Sequence, residues 1–179
     1  MTDAPNDEAE TLPEPPPEIK AVVETGIAAR GWIVNSYAQF ENLLSDLVRL
    51  ARQLPEYADL QVPYRTARRI SCAREIFDRE GPLKEFKDSI VPLVDQFESF
   101  EDARLLLVHG FTKVFHTPRN EVGFTFELFK IGEGGNATLH RKMYRPAELE
   151  SERERFVDFA QDALQRFREV HQQMGWIGS

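Results

Sequence analysis

The chain has 179 residues, the length of one ordinary domain. Its 41% hydrophobic and 29% charged residues suit a globular protein with a core of its own. The formal net charge is −8, but residues 1–18 hold six acids and no base, leaving 24 acids against 22 bases in the rest. A body so near neutrality excludes a protein that coats nucleic acid through bulk charge, and leaves room only for a locally basic site. The bases are 16 Arg and 6 Lys, weighted toward the side chain that grips phosphate or carboxylate with two parallel hydrogen bonds.

Cys72 is the only cysteine, so no intrachain disulfide can form and a reducing compartment, the cytoplasm, is expected. The acidic, proline-rich start is the opposite of a signal peptide. The longest apolar run, Leu105 to Val108, is far short of the roughly 20 residues a bilayer span needs, so no membrane association is expected.

Residues 1–18 carry Pro5, Pro13, Pro15, Pro16 and Pro17 among their acids and almost nothing apolar. Such a stretch buries too little surface to offset its ordering entropy, so it is expected to be a disordered tail, with one folded domain over 19–179. From about Ala21 to Leu54, Ile33, Tyr37, Phe40, Leu44, Leu47, Ala51 and Leu54 recur three and four apart, predicting a long helix that Pro55 stops. Gly26 and Gly31 are its weak points. A second helix fits Tyr64 to Glu80, with Ile70, Ala73, Ile76 and Phe77 inward. Its other face carries Arg65, Arg68, Arg69, Arg74 and Arg79, read as a solvated face that Glu75, Asp78 and Glu80 partly neutralise. Gly81-Pro82 then opens a third stripe, Leu83 to Phe97, that Pro92 should kink. Ser99 stands as N-cap of a short fourth helix, which ends near His109 with Gly110 as its C-cap.

The period then changes. Val122 to Ile131 and Ala137 to Tyr144 alternate around Gly132-Glu133-Gly134-Gly135-Asn136, predicting a β-hairpin. Pro146 suits the first position of a last helix, whose stripe runs Phe156, Ala160, Ala163, Phe167, Val170 and Met174. The expected fold is an all-α antiparallel bundle with a small β-hairpin before the last helix.

Residues 103–120 contain no acid but carry Arg104, His109, Lys113, His116 and Arg119. Cationic and titratable groups at a helix end could hold a phosphate and move a proton. The competing reading gives His109 the last carbonyls of its helix to satisfy. Glu41, beside the first apolar stripe, is placed to pair with an arginine of another helix or to stay solvated. No metal-ligand spacing and no phosphate loop is present, so neither metal nor cofactor is expected. Cys72 reads as inert core.

The order of these pieces, with Arg104-Leu-Leu-Leu-Val-His109 near a helix end, resembles the HEPN family, whose signature is Arg-x(4–6)-His in an all-α bundle. Trp32-Ile-Val-Asn-Ser-Tyr-Ala-Gln-Phe-Glu41-Asn-Leu-Leu upstream, and the hairpin and Pro146-Ala-Glu-Leu downstream, extend the likeness to residues 20–174. The resemblance implies a homodimer in which two such motifs meet, and a metal-independent endoribonuclease of toxin or defence type. His109 would then be general acid or base, Arg104 the phosphate clamp, and Glu41, Lys113 and His116 supporting groups. Where nuclease members commonly carry a polar residue after the arginine, this chain has Leu105. RNA would be the substrate of the nuclease and an antitoxin its partner, but the departure points to the alternative the family also offers: a noncatalytic module binding a nucleotide or a partner protein such as a nucleotidyltransferase. Arg104 would then form an ion pair, to Glu41 or Asp102. Five residues along a helix turn two side chains about 140° apart, so Arg104 and His109 meet only at a helix end or across two chains.

Overall fold

The computed structural model describes residues 16–117 and 121–177. Five helices are present, α1 (Pro17–Ala51), α2 (Thr66–Asp78), α3 (Lys87–Ser99), α4 (Glu101–His109) and α5 (Pro146–Gln173). Three strands, β1 (Phe111–His116), β2 (Val122–Ile131) and β3 (Ala137–Tyr144), form one antiparallel sheet in the order β1-β2-β3. The bundle with a hairpin is therefore present, but the expected two-stranded hairpin is a three-stranded sheet. The extra strand is β1, in a segment read above as helix end and loop. Phe111, Lys113 and Phe115 alternate there with Thr112, Val114 and His116, so both faces mix polar with apolar residues and the period of two is obscured.

Helix α1 starts at Pro17, which occupies its first turn where a missing N–H costs nothing. Pro17 and Glu18 therefore belong to the helix and not to a tail ending at residue 18. Residues 1–15, and with them most of that expected tail, lie outside the described residues, as does Arg119. Leu54 falls beyond the end of α1, in the turn leading to a short 3-10 segment, Pro55–Tyr57.

The core is the seam between α1 and α5, closed by α2 and α3. Phe40 packs in tilted contact against Phe97 at 4.4 Å and Phe159 at 4.9 Å between ring centroids, as Phe100 does against Phe156 at 4.5 Å. All five rings are buried, each removing some 150–250 Å² from water. Pro92 lies inside α3 without ending it.

Two local expectations fail for the same reason. The residue before α4 is Phe100, not Ser99; it makes no side-chain cap, and Ser99 instead donates its hydroxyl back to the Gln96 carbonyl at 2.6 Å. Gly110 follows α4 in an extended conformation (φ −68°, ψ 140°) and is no left-handed cap. In both places tertiary contacts displace local capping: Phe100 is held by the aromatic core, and the carbonyls at the end of α4 are met by α1. Arg30 donates from Nε to Leu107 O at 2.5 Å and from Nη2 to Val108 O at 2.9 Å and Gly110 O at 3.4 Å. Its Nη1 donates to the Thr112 hydroxyl at 2.9 Å, so one guanidinium fastens α1 to the end of α4 and the start of β1.

The sheet leans its inner face, with Phe124, Phe126 and Tyr144, on the helices. Gly26 makes that approach possible: a methyl group there would overlap the ring of Phe124. Arg145 N–H donates to Glu148 Oε2 at 2.8 Å at the start of α5, where Pro146 holds the expected first position.

Candidate functional site

Arg104 lies on the first half of α4 and points back across α1. Its Nε donates to Glu101 Oε2 at 2.9 Å and its Nη2 to Glu101 Oε1 at 2.5 Å, a two-pronged ion pair within one helical turn. The guanidinium also lies 4.8 Å from the ring centroid of Tyr37, whose hydroxyl donates to Glu101 Oε2 at 2.6 Å. The Arg104 side chain is only 16% exposed. Burial pushes the Tyr37 hydroxyl to a higher pKa, and the Glu101 carboxylate pushes it the same way, so it stays a donor. Burial would also raise the Glu101 carboxyl, but the hydrogen bonds from Arg104 and Tyr37 outweigh it and hold Glu101 below its ordinary value.

The partner of Arg104 is thus Glu101, neither Glu41 nor Asp102. Asp102 binds Lys130 at 2.8 Å. Glu41 accepts a hydrogen bond from the Thr66 hydroxyl and makes no ion pair among the described residues. Glu41 and Arg104 do share a wall: with Tyr64, Arg65, Arg69 and Glu101 they line an open groove of about 520 Å³ between α1, α4 and the start of α2.

His109 is not part of that groove. It sits exposed on the last turn of α4, and the carbonyls it was expected to satisfy belong to Arg30. Within one chain Arg104 and His109 therefore serve different surfaces, as their 140° separation on a helix requires. Lys113 is on the outer face of the sheet, tied to Glu127 at 2.6 Å. His116 ends β1 opposite Val122, and its side chain lies outside what is described. Of the four residues singled out from sequence whose side chains are described, only Arg104 and Glu41 come together.

The arginines of α2 divide in a way the sequence did not reveal. Arg74 pairs with Asp95 and Glu98, and Arg79 with Asp59 and Glu75. Two of the acids expected to neutralise this face are drawn away, Asp78 to Lys87 and Glu80 to Lys84. Arg69 donates only to backbone, to Pro63 O at 3.0 Å and Tyr64 O at 3.1 Å. Arg65 and Arg68 have no acidic partner among the described residues. Between the 520 Å³ groove and a neighbouring one of about 700 Å³ stands Tyr64, 93% exposed, and Tyr64 and Arg65 line both. A single clue was present in the sequence: Arg65, just before α2, and Arg68 and Arg69 in its first turn come with no acid.

Among the described residues, no three His, Cys, Asp or Glu side chains are grouped so as to hold a metal ion, and no helix is long and apolar enough to cross a membrane. Cys72 is buried, and burial raises its thiol pKa, which disfavours the reactive thiolate. Comparison with protein-family models, with curated proteins and with solved structures finds no match. The likeness to HEPN proteins accordingly rests on this chain's own residues.

Proposed function

We propose that this protein is a HEPN-like, noncatalytic module that binds the phosphates of RNA or a nucleotide at the start of α2. One observation carries the reading. Arg104, in the first groove, is occupied by Glu101 and covered by Tyr37, whereas Arg65, which lines both grooves, and Arg68, which lines the neighbouring one, lack an acidic partner among the described residues, with the exposed ring of Tyr64 between the two grooves. Guanidinium groups without carboxylates contact phosphate at little cost, and an exposed tyrosine offers a face on which a base can stack. Arg104 then acts as a structural anchor for α4, and Leu105 where a polar residue is usual agrees with that role.

The test is binding of fluorescent single-stranded RNA in EDTA at low salt, followed by anisotropy. Arg65→Glu and Arg68→Glu should each weaken binding severalfold, Tyr64→Ala likewise, and His109→Ala should leave it unchanged. RNA that stays unbound, or binding indifferent to the changes at Tyr64, Arg65 and Arg68, overturns the proposal.

The endoribonuclease reading keeps one observation in its favour: His109 is solvent-exposed at the end of α4. It requires a second protomer to bring an arginine to that imidazole. Cleavage of the same RNA in EDTA, lost in His109→Ala, would establish it over the noncatalytic reading.

A further inference from the structure

The outer face of the sheet carries a large apolar patch. Strand register places Phe111, Phe129, Ile131, Leu139 and Met143 on this side, opposite to Phe124 and Phe126. Phe111, Phe129, Ile131 and Met143 are each between 61% and 78% exposed. The ring of Phe115 lies on the same side, over Gly123, where a methyl group would collide with it. On this side central strand β2 carries Gly123, Thr125 and Glu127 before Phe129 and Ile131, so its apolar part is the half that runs into the turn to β3. In that half, large apolar side chains stand on a face that a half-solvated antiparallel sheet leaves polar. The helices cover one face, and no described residue covers the other.

We propose that this face packs against the same face of a second copy of the chain, giving a six-stranded, two-layer sandwich at the centre of a homodimer. Area and charge favour this occupant. The exposed apolar side chains supply roughly 600 Å², beyond the few hundred Å² of an ordinary surface patch and approaching the roughly 800 Å² per partner of a stable interface. The acid on the face is already paired within it: Glu127, on the central strand, is held by Lys113 at 2.6 Å and Arg141 at 2.7 Å, which leaves a surplus of one positive charge. Glu127 is thus neutralised before it is covered. Its two partners stand on the edge strands, where their long stems can lie along the sheet and their charges reach the rim. A two-fold axis then brings apolar side chains onto apolar side chains and buries no unpaired acid. This interface is separate from the groove at α2 and from the Arg104–His109 helix, and it does not depend on the function proposed above.

Sedimentation equilibrium over a concentration series tests it, because Phe129 and Ile131 are exposed in the protomer and can be changed without disturbing its core. Wild type should sediment at the mass of two chains. Phe129→Glu and Ile131→Glu should each shift the mass to one chain while leaving the circular dichroism spectrum and the melting of the helices intact. The dimer should persist at high salt, since apolar burial holds it. A one-chain mass for wild type at every concentration overturns the proposal. So does a two-chain mass that both substitutions leave untouched, which would place the interface elsewhere.

Discussion

At the scale of single residues, the molecule holds its charges mainly by local pairing, and two groups translate this into a dependence on pH. Glu101 has its carboxyl depressed in the folded state by Arg104 and Tyr37. The stability this contributes is complete above the ordinary carboxylate value of 4.5 and is lost as pH falls through the lower folded value. Glu101→Gln should flatten the acid limb of a pH–stability curve below about 4.5, and urea melts at successive pH values will show it. Arg104→Ala, which leaves Glu101 and the Tyr37 hydroxyl without their cation, should cost about 2 kcal/mol of stability with no change in RNA binding. His171, at the seam of α5 with α1, is buried, and its Nε2 has no hydrogen-bond partner. Burial lowers its pKa, against Asp46, whose carboxylate stands 3.9 Å away and raises it, and together with Arg49, which lowers it. The folded chain therefore resists a proton that the unfolded chain accepts. Stability should fall as pH drops below the ordinary value of 6.5, with a slope of at most about 1.4 kcal/mol per pH unit, and His171→Gln should remove that slope.

At the scale of elements, α1 is the part on which the others are assembled, and its two glycines separate packing from propensity. Glycine inside a helix normally costs about 1 kcal/mol relative to alanine. At Gly31 nothing lies near the position of an added methyl, so Gly31→Ala should stabilise the protein by about 0.5–1 kcal/mol. At Gly26 the same change drives a methyl into the Phe124 ring, so Gly26→Ala should destabilise despite the gain in propensity. Thermal melts of the two variants, moving in opposite directions, check the helix-to-sheet contact directly. Arg30 is the other device of α1. Arg30→Ala leaves the carbonyls of Leu107 and Val108 without their donors and should cost about 3 kcal/mol. Arg30→Lys should recover only part of it, because an ammonium cannot serve several carbonyls and the Thr112 hydroxyl from one plane.

At the scale of the whole molecule, a near-neutral body with a small basic site should bind RNA weakly and with a shallow dependence on salt. Contact with about three phosphates through Arg65, Arg68 and Arg69 implies a slope near −2 for log affinity against log salt on a single strand. Arg65→Glu should make that slope shallower, and a titration series at several salt concentrations measures it. A much steeper slope would mean a wider basic surface than the start of α2 offers.

The sequence by itself determined the helices and the hairpin strands, because each needs only a period. Ile33, Tyr37, Phe40 and Leu44 repeat along α1, and Phe124 and Phe126 alternate with polar neighbours along β2, whatever lies opposite them. Pro146 likewise marks the start of α5 from local geometry alone. Strand β1 was illegible because it is an edge whose pattern is set by what it meets on each face: Arg30 at Thr112 and Glu127 at Lys113. The candidate site was hidden for a related reason. Composition counts charges, but only tertiary structure decides which acid answers which base. It gave Glu101 to Arg104, Asp78 to Lys87 and Glu80 to Lys84, and in doing so left Arg65 and Arg68 beside Tyr64. Pairs within a helical turn have several candidate partners in the sequence, and pairs such as Arg74 with Asp95 or Arg79 with Asp59 join residues that only folding brings within a few ångströms.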